Sequence, residues 1–512
     1  MTHARNHALT GLVATAALAV VATLGGGAGA APAADVPSTP VPIATPDGVI
    51  SAYVVNAKHA NRGQVQLAAR AVERAGGEVV QAWPQIGVVV AHATTASFRA
   101  DVRRLGGNAV ESVGATRTVP VTEGTPEEVD APWSAKQGRA DRSARQDVEK
   151  REFRSATAAD VAPDPREAEQ WDMRMIKADQ AHQVTDGSRD VVVGILDSGI
   201  DADHPDLAPN IDVEDSVNCS DAGRPDTSAT GWQPTTSDHG THVAGTVAAA
   251  RNGTGIVGVA PGVRMASVKV VNDAGFIYPE YAVCGFVWAG MQGMDVTNNS
   301  YYVDPFMYYC SDQADQAAAK EAVDRAVQWS TRQGTVHAAA AGNAATDLSN
   351  NTTDTTSPDD STPITRTIND DCEDIPTELD GVVTVSSFAR LSTTSTESWL
   401  SSFSNRGLGK IDVGAPGSAI LSTVVKDNGY AAYSGTSMAS PHVAGVLALM
   451  KSAHPELTPA EMVDRLREQA DDKPCAAAQP NRQGQTGPAC VGSVDDNSYA
   501  GEGMVDALDA VS

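Results

Sequence analysis

Three short clusters in this 512-residue chain carry residue types that could act on a polar bond. The first, Ile195-Leu196-Asp197-Ser198-Gly199-Ile200-Asp201, places a carboxylate where a continuous apolar run ends. Open α/β sheets hold their sites at such strand ends, yet the same Asp is also an ordinary turn residue accepting local hydrogen bonds. The second, Asp238-His239-Gly240-Thr241-His242-Val243-Ala244-Gly245-Thr246, joins a base to small residues that allow close helix packing. His239 and His242 stand three apart and could share a helix face as a metal pair, although no Glu-x-x-His arrangement and no nearby Cys accompanies them. In the third, Gly435-Thr436-Ser437-Met438-Ala439-Ser440-Pro441-His442-Val443-Ala444-Gly445, small residues set Ser437 at the start of an apolar helix. A serine there is normally a cap, but the N–H groups of a helix start also suit an anion forming beside them.

In this order, and 42 and 198 residues apart, Asp197, His239 and Ser437 resemble the triad of the subtilisin-like serine protease (subtilase) family, in its secreted bacterial form with an inhibitory propeptide. The resemblance covers residues 165–512, and Gly501-Glu502-Gly503-Met504-Val505-Asp506-Ala507 is similar to the family's closing segment. It implies an α/β fold with a doubly wound, mostly parallel sheet covered by helices on both faces. It also implies a serine endopeptidase that hydrolyses extended polypeptides through an acyl-enzyme. A serine hydroxyl is a weak nucleophile until a base takes its proton, so His239 would be that base and Asp197 would hold its tautomer. Ala339-Ala340-Ala341-Gly342-Asn343 resembles the oxyanion segment. Asn343 would donate its side-chain amide and Ser437 its backbone N–H to the tetrahedral oxyanion.

The same resemblance assigns substrate binding to Ser300, Tyr301, Tyr302, Ala340 and Gly342. Where many subtilases carry Ser-Leu-Gly, this chain has Asn299-Ser300-Tyr301-Tyr302-Val303. Tyr302 either narrows the P1 pocket or swings away to become a wall, unless both tyrosines are packing residues. A polypeptide would bind by adding a strand beside 299–303. Residues 344–380, polar and rich in Thr and Asp, are expected as a lengthened loop near that pocket. The segments around Asp206 and 250–261 resemble the family's structural calcium site, with side-chain oxygens from Asp206 and Asn252 and main-chain oxygens from Ala250, Thr254 and Ile256. Glu167 is a further candidate ligand. Calcium takes six to eight oxygens, many of them carbonyls, so the chemistry is consistent. The alternative is a capped helix end with a Gly-containing turn and no ion.

The elements that must position these residues are short apolar runs at 191–196, 264–271, 334–340 and 382–386, alternating with helical patterns such as 318–333 and 441–453. That alternation argues for a parallel sheet covered on both faces. Ahead of it, residues 49–118 read β-α-β-β-α-β, a small ferredoxin-like α+β module. Beside the resemblance, this module is expected to be the propeptide (34–120), an intramolecular inhibitor and folding chaperone. A charged, aliphatic-poor stretch at 121–165 is expected to be a flexible linker, and 166–512 the catalytic domain.

Composition narrows the setting. Thirty-seven Lys and Arg against 64 Asp and Glu give a net charge of -27, a poor match for nucleic acid. His3, Arg5 and His7 before an apolar stretch, and small residues after it, make 1–33 a secretory signal in preference to a retained anchor. The mature protein is then expected outside the cell, off the membrane and monomeric, with polypeptides and its own propeptide as partners. Cys219, Cys284, Cys310, Cys372, Cys475 and Cys490 form no close pair, which favours disulfides over a zinc cluster. Cys475 and Cys490, bracketing a polar loop, are the pair expected to join.

Overall fold

Between residues 51 and 115 the apolar runs and helical spacings resolve into β1 (Ser51–Ala57), α1 (Arg62–Arg74), β2 (Glu78–Trp83), β3 (Val88–Ala93), α2 (Phe98–Gly106) and β4 (Val110–Ala115). The strands form one antiparallel sheet in the order β2-β3-β1-β4, as the β-α-β-β-α-β pattern requires. The computed structural model describes residues 36–122, 163–392, 397–475 and 488–512. The expected signal segment, and the expected linker from 123 to 162, lie outside the described residues.

The larger part begins with two short helices, α3 (Trp171–Met175) and α4 (Ala178–Ala181). There follow β5 (Val192–Asp197), β6 (Val217–Asp221), β7 (Arg224–Asp226), α5 (His239–Ala248), β8 (Arg264–Lys269), α6 (Pro279–Gln292) and β9 (Val296–Asn299). Next come β10 (Tyr309–Cys310), α7 (Ala314–Gln333), β11 (Val336–Ala340) and three two-residue strands, β12 (Thr353–Asp354), β13 (Arg366–Thr367) and β14 (Cys372–Glu373). The chain closes with β15 (Val382–Arg390), β16 (Ser398–Leu400), β17 (Val413–Pro416), β18 (Ile420–Val424), β19 (Gly429–Tyr433), α8 (Thr436–Ala453), α9 (Pro459–Glu468) and α10 (Ala507–Ala510).

The main sheet runs β16-β15-β11-β9-β5-β8-β6-β7, with β17 also pairing with β15. All its pairings are parallel except β6–β7 and β15–β16. Side chains of a strand alternate between faces, so β5 feeds two cores. Val192 and Leu196 pack with residues of α6 and α7, while Val193 and Ile195 pack with residues of α5 and α8. The sheet is thus covered on both faces, as expected. Two elements had no clear sequence signal. Helix α6 is buried almost all round and so lacks an apolar stripe, and β9 buries Thr297, Asn298 and Asn299, residues that usually mark loops.

The N-terminal module lies on α6 and α7. Gly114 permits this approach, because a β-carbon there would stand 2.8 Å from that of Ala318. Asn56 donates to the Ala318 carbonyl (2.8 Å), the Ala115 N–H to Asp315 (2.9 Å), and Arg99 pairs with the same Asp315. Beyond β4, Arg117 enters a socket on the larger part, where it pairs with Glu280.

The cysteines form Cys219–Cys284, Cys310–Cys372 and Cys475–Cys490, the last as expected. Among the described residues no helix is long and apolar enough to cross a membrane.

Candidate active site

Asp197 is the last residue of β5 and His239 the first of α5. Gly240 brings these ends together, since a β-carbon there would stand 2.5 Å from the Gly199 carbonyl and 3.1 Å from Asp197 Cβ. His239 Nδ1 then lies 2.9 and 3.0 Å from the two oxygens of Asp197, a carboxylate that also accepts the Ser198 N–H (2.7 Å). With Nδ1 donating, Nε2 is left as the basic nitrogen. Burial disfavours the imidazolium, but the charge and hydrogen bond of Asp197, helped by Asp238, outweigh it and raise the His239 pKa above its ordinary value.

Ser437 is the second residue of α8, as the small-residue run before it predicts. It is locked to Ser300 reciprocally: Ser437 Oγ donates to the Ser300 carbonyl (3.3 Å), and Ser300 Oγ donates to the Ser437 carbonyl (2.9 Å). The Ser437 hydroxyl therefore points at Ser300 and not at His239. A bond between nucleophile and base commonly tightens only with substrate in place.

Asn343 stands exposed just after β11. Its Oδ1 accepts the Thr436 N–H (2.8 Å) and the Thr436 hydroxyl (3.1 Å). A backbone N–H can only donate, so the amide orientation is fixed and the amino group is left for another acceptor. The same Thr436 hydroxyl accepts the Gly342 N–H (3.0 Å). Thr436 thus ties the Gly342-Asn343 turn to the helix that carries Ser437. Sequence reasoning gave it no role, although its cap-type side chain at the helix start was a usable signal. Asn405 was also missed; it holds the turn from behind through Ala341, Ala344 and Thr346.

The subtilase family (peptidase S8) model matches residues 188–487, well over half of the chain. The chain belongs to the subtilase family. It is 34% identical over 300 residues to subtilisin E of Bacillus subtilis, a match covering 59% of this chain and 65% of that protein. The match to that relative therefore spans just under two thirds of its length. Subtilisin DY of Bacillus licheniformis is 34% identical over 292 residues, covering 57% of this chain and 88% of its own. The crystal structure of fervidolysin from Fervidobacterium pennivorans, a keratinolytic enzyme related to subtilisin, superposes with a TM-score of 0.61. That superposition is at 23% identity and covers 91% of this chain and 61% of the other.

Within this subtilase, the rival pairing of His239 and His242 as metal ligands is not assembled. His242 is buried and stacked on Tyr433, and its Nε2–H faces the carbonyls of Ile420 and Ala431. Burial lowers its pKa to about 4, so it is a neutral structural residue.

Of the substrate-binding candidates, Ser300 bonds Ser437 directly and Gly342 reaches the start of its helix through Thr436. Strand β9 ends at Asn299, so 300–303 continue as irregular backbone and not as a strand. Tyr301 donates to Asn299 (3.1 Å) and Tyr302 to Asp359 in the long loop (2.6 Å). The Tyr302 hydroxyl is therefore directed toward that loop. Residues 344–380 are pinned by the buried Arg366–Asp354 pair and the Cys310–Cys372 bridge.

The calcium candidates also come together. Asp206 is fully buried, and its carboxylate accepts the Ile256 N–H (3.0 Å), the Tyr430 hydroxyl (2.8 Å) and the Asn252 amino group (3.4 Å). The carbonyls of Ala250, Thr254 and Ile256 accept no backbone hydrogen bond among the described residues, as calcium ligands should not. Asn252 differs from expectation: it turns its amino group toward Asp206, because its oxygen is taken by the Thr254 N–H (2.9 Å). Glu167 is engaged by Arg251 instead of the loop oxygens. The buried carboxylate and the three carbonyls are oxygen donors of the kind a hard cation takes, whereas the Asn252 oxygen is held by the Thr254 N–H and its amino group by Asp206 and the Pro205 carbonyl.

Proposed function

We propose that this subtilase is a secreted serine endopeptidase made as a precursor: a signal at 1–33, an inhibitory propeptide at 34–120, a cleavable linker at 121–165 and a catalytic domain at 166–512. The observation that carries the reading is the held orientation of His239, its Nδ1 against both Asp197 oxygens, together with Asn343, whose amide is fixed by Thr436. In the reaction the Ser437 hydroxyl turns from the Ser300 carbonyl to His239 and attacks the scissile carbonyl. His239 takes the proton as the C–O bond forms. Asn343 and the Ser437 N–H meet the oxyanion as preorganised donors. His239 then protonates the leaving nitrogen as the C–N bond breaks, and water releases the acyl group by the same steps in reverse.

Calcium, when bound, would be held by Asp206, Asn252 and the carbonyls of Ala250, Thr254 and Ile256; it stabilises the loop and takes no part in the chemistry. The N-terminal module, seated on α6 and α7, acts as intramolecular inhibitor until the linker is cut. Fluorophosphonate labelling of the secreted protein tests the reading. Covalent attachment at Ser437 is expected, and an unlabelled, folded protein would make the chain a binding module of subtilase shape.

A further inference from the structure

One carboxylate near the site has a buried oxygen with no hydrogen-bond partner among the described residues. Asp374 is 2% exposed, its Oδ1 is buried, and that oxygen accepts no hydrogen bond from the described residues. The neighbouring charge is another acid, Glu378, which is itself served by the Asp374 N–H (2.8 Å) and by Lys410 (2.8 Å). Burial, and then the like charge of Glu378, push the Asp374 carboxyl well above the usual range. A buried acid without donors is unfavourable in the folded chain, and an arriving cation would relieve it.

Its position tells which cation. Asp374 is fixed between the two stretches that flank Ser437. On one side, the Val303 N–H donates to the Ile375 carbonyl (2.9 Å), joining Asp374's neighbour to the segment that runs on from Ser300. On the other, Thr377 donates to the Ala340 carbonyl (3.0 Å). Gly342, in its left-handed conformation (φ 98°), has no side chain, and a β-carbon there would stand 2.4 Å from Asn405 Nδ2 and 3.8 Å from Asp374 Oδ2.

We propose that Asp374 is the floor of the P1 pocket and makes this subtilase selective for arginine or lysine immediately before the scissile bond. The proposal deepens the reading of Ser437 and Asn343 given above and rests on it. A guanidinium can meet the carboxylate with two parallel N–H groups, an ammonium with one, so arginine is favoured over lysine. An apolar P1 side chain leaves the acid unpaired and is rejected.

The test uses processed enzyme made from the full-length chain and two peptides that differ only in arginine or citrulline at P1. Citrulline keeps the shape and removes the charge. The arginine peptide is expected to have a kcat/KM higher by roughly 100-fold, the scale of a buried charge pair. In Asp374→Asn the ratio should fall to within about threefold, with fluorophosphonate labelling as the check of folding. A wild-type ratio near one, a wild-type preference for leucine or phenylalanine at P1, or an unchanged ratio in a labelled Asp374→Asn enzyme overturns the assignment of Asp374. Wild-type protein that takes no probe overturns the serine-nucleophile reading instead, and this inference with it.

Discussion

Arg117 and Glu280 form an ion pair in which both side chains are sealed from solvent, 2% and 0% exposed, with the guanidinium 3.8 Å above the Tyr278 ring. The pair joins the N-terminal module to the start of α6. Removing one member of a buried pair leaves the other charged and unpaired, at a cost of about 3–5 kcal/mol. Arg117→Ala, in a chain kept uncut by Ser437→Ala, should therefore unfold at markedly lower denaturant. Arg117→Met with Glu280→Leu should recover most of the loss. Equal midpoints for Arg117→Ala and its parent would mean that the pair holds nothing.

Ser437→Ala should abolish both hydrolysis and self-cleavage between module and catalytic domain. The variant is expected to accumulate as one long precursor on a denaturing gel. Normal maturation with no other protease present contradicts the assignment of the nucleophile or of self-processing.

For Asn343→Ala a fall in kcat of about 100- to 1,000-fold is expected, with KM changed little. Thr436→Val removes the hydroxyl that Gly342 and Asn343 share and should lower kcat in the same direction, whereas Thr436→Ser should restore it. Losses confined to KM would assign these residues to substrate placement.

His239 acts only when neutral, and Asp197 raises its pKa above the usual value of about 6.5. The imidazolium therefore persists to higher pH than for a free histidine. The kcat/KM profile should rise with pH through a limb centred above that value. Equal activity at pH 4 and pH 8 would rule out this base.

Free calcium should raise the melting temperature of the catalytic domain. At a hundredfold excess over Kd the gain is about 2.7 kcal/mol. Chelation should hasten thermal inactivation, and Asp206→Ala should remove most of the difference. Identical melting curves in chelator and in millimolar calcium would dispose of the site.

Much of this was legible in the chain itself. Asp197 ends an apolar run, and His239 and Ser437 each open a helix whose small residues announce close packing, so both the elements and their ends could be read. The ferredoxin-like module followed from two helical spacings and four strand-length runs. What escaped was set by side-chain bonding in three dimensions. Asn298 looks like a loop residue, yet it is buried in β9 because Ser440 donates to it (2.7 Å). Thr436 and Asn405 hold the Gly342-Asn343 turn through contacts 59 to 94 residues apart in sequence. Asp374 sat unremarked in a polar loop, because its solitude becomes visible only when its surroundings are folded around it.

The Cys310–Cys372 bridge encloses most of the long loop that follows the Gly342-Asn343 turn. A protease exposes such loops to its own copies, and the part of this loop from 344 to 371 lies inside the bridge. A cut anywhere within it still leaves the two fragments covalently joined, with Tyr302 on one side and Asp374 on the other. Self-inflicted nicks in this region thus become scars on an intact molecule and not amputations.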